Sequence, residues 1–170
     1  GIVKQSRGWI RTESERGKGT AFTIYLPQVA AGSDIRESTT ATLEGLSGSE
    51  TVLLVEDQAS VRQLAASVLR GCGYRLLQAG SAEEALEVAR SHEGVIHLLL
   101  TDVVLPGLTG KDLADRLKAV RPDMKVLFTS GYTENVIAHR GVLAPGIRYL
   151  PKPYAPRALA AKVREALDRP

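Results

Sequence analysis

Cysteine is nearly absent: one residue in 170, Cys72. An internal disulfide is therefore excluded, and the count fits a reducing compartment. As a small apolar residue near a helix end, Cys72 reads as buried packing rather than a reactive thiol. Long hydrophobic runs are missing too. No stretch approaches the roughly 18 apolar residues that span a bilayer, and no charged segment leads into an apolar one as in a signal peptide. Nor does charge of one sign dominate, with 22 basic residues against 19 acidic and a net +3. Residues 1 to 50 hold six of each sign, and residues 51 to 170 hold 16 basic against 13 acidic, scattered along the chain. A nucleic-acid groove needs basic side chains clustered on one face, so no nucleic-acid partner is expected. What is present is 44% hydrophobic and 24% charged residues, the balance of a globular protein. The expectation is a soluble, cytoplasmic chain without membrane contact of its own, whatever anchors a longer parent.

Three regions follow one another. In residues 1 to 28, Ile2 to Ser6 read as a helix end, and Arg16-Gly17-Lys18-Gly19 as a turn between two strands. Phe22, Ile24 and Leu26 alternate with Ala21, Thr23 and Tyr25, the period of a half-buried strand. Two strands and a helical stub bury too little to stand alone, so this piece reads as the end of something larger. Residues 29 to 50 are rich in Ala, Gly, Ser and Thr without an apolar period, which predicts a flexible linker.

From residue 51 to 170 the texture is that of a folded domain. Apolar runs at Thr51–Val55, Leu76–Ala79, Ile96–Leu100, Lys125–Phe128 and Ile147–Leu150 alternate with helical periods. Val61, Leu64, Ala65, Val68 and Leu69 mark the first helix; Ala82, Ala85, Leu86 and Ala89 the second; Leu113, Leu117 and Val120 the third. A short fourth covers Glu134 to His139, and Leu159, Val163, Ala166 and Leu167 mark the last. Strand and helix alternating five times predict an α/β fold, a doubly wound five-stranded parallel sheet with helices on both faces. The continuous apolar runs suit strands buried on both sides.

In such a sheet, ligands bind beyond the carboxyl ends of the strands. Glu56 and Asp57 follow the first strand, Asp102 the third, Thr129-Ser130 the fourth, and Lys152-Pro153 the fifth. Three carboxylates brought together repel unless a cation joins them. A hard divalent ion suits them, and Mg²⁺ fits because it keeps waters and works with phosphates. Lys152 and Thr129 could meet phosphoryl oxygens, and a carboxylate can itself be the nucleophile, giving an aspartyl phosphate. Taken singly, each has a plain alternative: Asp57 could cap the next helix, Lys152 could be a solvated charge, and the set could be an ion network without chemistry.

These residues resemble the receiver domain of bacterial response regulators and hybrid histidine kinases. Val52-Leu53-Leu54-Val55-Glu56-Asp57 is similar to its first strand with the acidic pair, and Leu100 to Gly110 to its phosphoacceptor loop. Leu127 to Tyr132 and Tyr149 to Tyr154 complete the pattern across residues 51 to 170. The resemblance implies a flavodoxin-like sheet of order 2-1-3-4-5 in which Asp102 accepts a phosphoryl group from phosphohistidine, on a histidine kinase or a phosphotransfer domain. It implies Mg²⁺ bound by Asp57, by Asp102, by the backbone carbonyl of Val104 and, through water, by Glu56. Thr129 and Lys152 would hold phosphoryl oxygens, Lys152-Pro153 would be cis, and Tyr149 would be an aromatic switch coupled to Thr129. Tyr149 also suits a strand aromatic packed on the last helix. Glu56 stands where many members have Asp.

Gly17-Lys18-Gly19-Thr20-Ala21-Phe22 resembles the last glycine box of a histidine-kinase ATPase domain. Ahead of a receiver, that implies the tail of a hybrid kinase, whose parent would carry ATP-dependent protein-histidine kinase activity and could dimerise. The other nucleotide-binding boxes are missing here, so ATP binding is not expected of this chain. An intact kinase is thereby disfavoured, and turnover enzymology of this chain stays open. An aspartyl phosphatase usually has a second carboxylate two residues after its nucleophile as general acid; Val104 stands there. A docking module without phosphorylation would not need all five polar residues. His92, His97 and His139 pair at no metal-ligand spacing and read as structural. No DNA-binding module follows the last helix in this sequence, so relay or kinase control is the expected output.

Overall fold

The computed structural model describes residues 2–28, 45–131 and 148–168. The predicted linker up to residue 44, the helix at Glu134 to His139 and the strand start at Ile147 lie outside the described residues. The chain divides into two compact units, Gly1–Ser38 and Thr39–Pro170.

In the first unit a one-turn helix, α1 (Ile2–Gln5), precedes an antiparallel hairpin of β1 (Trp9–Glu15) and β2 (Gly19–Tyr25). Gly17 and Gly19 take φ of 84° and 97° at the turn, where a Cβ would be strained. Trp9 and Tyr25 face each other across the strands with ring centroids 5.2 Å apart. The expectation of a half-buried strand needs correction: both strands are exposed along their length, Phe22 by 67%. A two-stranded sheet has no inner layer of its own to bury that apolar face.

The second unit is a five-stranded parallel sheet. Its strands are β3 (Thr51–Val55), β4 (Arg75–Ala79), β5 (Leu98–Asp102), β6 (Lys125–Ser130) and β7 (Tyr149–Pro151), in the order β4-β3-β5-β6-β7. That is the predicted 2-1-3-4-5 order. The helices are α2 (Ala59–Gly71), α3 (Ala82–Ser91), α4 (Gly110–Val120) and α5 (Pro156–Asp168).

Successive residues of a strand point to opposite faces, and the core divides accordingly. Val52, Leu54, Leu98 and Leu100 pack with Ala65, Ala66 and Leu69 of α2 and Leu159 and Val163 of α5. Leu53, Val55 and Leu99 pack on the other side with Ala82, Ala85 and Ala89 of α3 and Leu113 and Leu117 of α4. Two predicted core residues lie outside: Leu64 is 59% and Val120 73% exposed. Each sits at the margin of its helical stripe, and Ala66 and Ala114 take the inward places instead. His97 precedes its strand rather than lying within it; its Nδ1 accepts from the Thr51 amide at 3.0 Å.

Residues 45 to 50 are fastened to this unit although their composition resembles the linker. The Gly48 amide donates to the Cys72 carbonyl at 3.0 Å, and the Tyr74 hydroxyl to the Leu46 carbonyl at 3.1 Å. Arg164 of α5 binds Glu50 at 2.7 Å.

Candidate functional site at the carboxyl ends of the strands

Register brings the polar residues together. Parallel pairing aligns Asp102 on β5 with Thr129 on β6, and Thr129 with Leu150 on β7, two residues before Lys152. Glu56 and Asp57 follow β3, which pairs with β5 on its other side. One carboxylate oxygen from each of Glu56, Asp57 and Asp102 lies within 4.8 Å of the others.

Lys152 bridges two of the three. Its Nζ donates to Glu56 Oε2 at 2.5 Å and to Asp102 Oδ2 at 2.8 Å. The Val104 amide donates to Asp102 Oδ1 at 3.2 Å, so both oxygens of Asp102 are oriented. The Lys152–Pro153 peptide is cis. Thr129 is buried, and its hydroxyl lies 3.5 Å from the Thr101 carbonyl, the outer limit of a hydrogen bond. Tyr149 is half-buried against the core, and its hydroxyl donates to the Ser130 carbonyl at 3.2 Å. The same carbonyl accepts the Lys152 amide at 2.8 Å. The aromatic and the lysine are thus tied to one peptide group.

Glu56 is only 2% exposed, and its Oε1 has no hydrogen-bond partner among the described residues. Burial pushes its pKa up, against the opposing pull of Lys152, while the neighbouring Asp102 charge adds to the rise. Burial alone would lower Lys152, but its bonds to Asp102 and Glu56 outweigh it and hold the ammonium charged. Tyr154 beside them is pushed up, chiefly by burial. An orphaned oxygen on a buried carboxylate, with two more carboxylates within reach, forms an acidic pocket that fits a hard cation and its waters.

In the sequence Gly110 stood only as the end of the phosphoacceptor loop, and Arg62 did not figure at all. Gly110, at the start of α4, lies so close to the Asp102 backbone that an added Cβ would sit 2.0 Å from its carbonyl oxygen. Arg62 of α2 turns its guanidinium onto the carbonyls of Glu56 and Asp57. A basic residue one turn into the helix after an acidic pair was the available signal. Asp57 does not cap α2: the N-cap is Gln58, with no side-chain cap bond. His92 ends α3 as its C-cap and, like His97, lies apart from the acidic cluster; His139 is outside the described residues.

A doubly wound parallel sheet with an acidic pocket and a lysine at its carboxyl edge defines the receiver class. Residues 52–164 match the response regulator receiver domain family, and the chain belongs to it. Members of that family accept phosphoryl groups in two-component signalling. Over 176 residues the chain is 38% identical to the sensor kinase CckA of Brucella abortus (strain 2308), covering 99% of this chain and 19% of that protein. The chain thus spans about a fifth of that relative's length. Among solved structures, the receiver domain of a hybrid histidine kinase CckA shares 36% identity with a TM-score of 0.59, covering 69% of this chain and 99% of that one. A CheY-like receiver from Methanospirillum hungatei JF-1 gives 29% identity and a TM-score of 0.59, covering 71% and 95%. No helix among the described residues is long and apolar enough to cross a membrane.

Proposed function

We propose that Asp102 is the phosphoacceptor of a two-component relay, with a phosphohistidine of a histidine kinase or phosphotransfer domain as donor. The Asp102 carboxylate would attack phosphorus in line. The phosphorus–nitrogen bond to the donor imidazole breaks, the nitrogen keeps the electron pair, and an acyl phosphate forms on Asp102. The observation that carries this reading is the Lys152 bridge: one ammonium held between Glu56 and Asp102 across three strands. It leaves a fixed positive charge beside the nucleophile to receive a phosphoryl oxygen. Thr129 would hold another oxygen. Glu56, Asp57, Asp102 and the Val104 carbonyl would hold Mg²⁺, which would neutralise charge on the transferring group. Tyr149 would report the change, since its hydroxyl shares the Ser130 carbonyl with Lys152.

The setting proposed is the receiver end of a hybrid sensor kinase in the cytoplasm. Residues 1 to 28 would be the tail of its ATPase domain, 29 to 50 the connector and 51 to 170 the receiver. The likeness to the CckA relative extends through the hairpin, beyond the receiver match, and supports this assignment. Kinase activity and any dimer would belong to the parent. Acetyl phosphate with Mg²⁺ should label the chain, and Asp102→Ala should abolish labelling. Persistent labelling in that variant would overturn the assignment.

A further inference from the structure

The loop bearing Glu56 and Asp57 joins β3 to α2, and α2 is unlike the two helices after it. Ser81 caps α3 by accepting from the Glu84 amide, and Thr109 and Asp112 form a reciprocal capping box on α4. At α2 the N-cap Gln58 makes no side-chain bond, and the first turn contains no acidic residue. The acidic loop is therefore not pinned from the helix end by the usual device.

Arg62 occupies that role from inside the helix. It lies one turn along α2, its amide donating to the Gln58 carbonyl at 2.9 Å. Its guanidinium folds back, Nη1 donating to the Glu56 carbonyl and, at 3.5 Å, approaching the Asp57 carbonyl. The far side of the loop is held by the Glu56 amide, which donates to the Ala79 carbonyl of β4 at 3.2 Å. Asp57 is exposed, and its carboxylate makes no hydrogen bond to a described residue, so its backbone sets where it points. The turn from β4 to α3 lies against the same guanidinium. A Cβ on Gly80 would lie 3.2 Å from Arg62 Nη1 and 3.4 Å from Glu84 Oε2, which accepts the Gly80 amide at 2.6 Å.

We propose that Arg62, seated against Gly80, is a positioning residue for the Glu56–Asp57 pair and sets the affinity of the acidic pocket for Mg²⁺. The inference rests on the phosphoacceptor reading above. Its physical basis is that a divalent ion tolerates little displacement of its oxygen ligands, and groups that orient ligands act on affinity without touching the metal. A lysine keeps the charge and could donate to the same carbonyls, but it lacks the rigid guanidinium plane that fixes where Nη1 sits.

The test is the Mg²⁺ dependence of acetyl phosphate labelling on the whole 170-residue chain, with calorimetric titration of Mg²⁺ beside it. Arg62→Ala should raise the Mg²⁺ half-saturation by about 10- to 100-fold, with most of the labelling rate recovered at saturating Mg²⁺. Arg62→Lys should restore it in part, and Gly80→Ala should shift it in the same direction. Leu69→Ala destabilises the same helix from its buried face and should leave the half-saturation unchanged. If Leu69→Ala shifts Mg²⁺ binding as far as Arg62→Ala does, Arg62 acts only through stability and the proposal fails. An unaltered half-saturation in Arg62→Ala overturns this inference alone. A wild-type chain that binds no Mg²⁺ overturns both readings.

Discussion

Replacing Asp57 with Asn should stabilise the metal-free protein while weakening its response to Mg²⁺. Asp57 stands with its oxygen within 4.8 Å of carboxylate oxygens of Glu56 and Asp102, yet Lys152 binds only those two neighbours. At that distance two unit charges repel by about 3.5 kcal/mol at an effective dielectric near 20, and by about 0.9 at 80. Asp57 is exposed, so the screened end of that range applies. Lys152, bonded to both neighbours, cancels roughly one of the two repulsions. The net gain for Asp57→Asn is then about 0.9 kcal/mol, and each kcal/mol is worth roughly 3 to 6 °C in Tm for a domain of this size. Mg²⁺ reverses the order. At ten times its dissociation constant the ion stabilises the wild type by about 1.4 kcal/mol, and at a hundred times by about 2.7. The variant, lacking one ligand charge, should gain far less. Urea unfolding followed by far-ultraviolet circular dichroism, in EDTA and in a Mg²⁺ series, reads both effects. A variant less stable than wild type in EDTA, or an equal Mg²⁺ shift in both proteins, would refute the reasoning.

Other outcomes follow from the packing. Gly110→Ala should destabilise by about 1 to 3 kcal/mol and depress acetyl phosphate labelling, because its Cβ would press on the Asp102 carbonyl oxygen, 2.0 Å away. Leu99→Ala empties a fully buried site on the central strand and should cost about 3 to 5 kcal/mol in urea unfolding. Glu50 is held below its ordinary value of 4.5, first by its hydrogen bond to Arg164, with burial opposing. A depressed carboxylate contributes stability above its ordinary range and loses it as pH falls through the folded value. Arg164→Met should therefore lower stability by roughly 1 to 2 kcal/mol at pH 7, and the difference from wild type should shrink between pH 5 and pH 3 on a denaturation series. A constant difference across that range would argue against the pair.

Much was legible because the relevant signals are local. The apolar runs have a strand's length, the helical stripes repeat at three and four residues, and polar residues stand where each run ends. Right-handed crossovers then leave few topologies for five alternating units, and the observed strand order follows. That Asp102, Thr129 and Lys152 converge was likewise implied once parallel strands had to end together. The errors fell where periodicity is silent about degree. Leu64 and Val120 are apolar at permitted offsets but sit at the stripe margin. The hairpin alternates as a buried strand does, while β1 and β2 remain exposed.

By itself, then, the sequence determined the fold class, the family and which side chains could share a site. Tertiary structure decided how they are held. Lys152 reaches across β6 and β5 to bind Glu56 and Asp102 at once, a pairing between residues 96 and 50 positions apart. Gly110 must be glycine because a backbone oxygen from another element fills the space of its side chain. Arg62 reads in sequence as an unremarkable helical cation, and only the folded loop aims it at the carbonyls behind the acidic pair. Hydrophobic pattern is written one turn or one strand at a time. Contacts between side chains and a distant backbone exist only after the elements have packed.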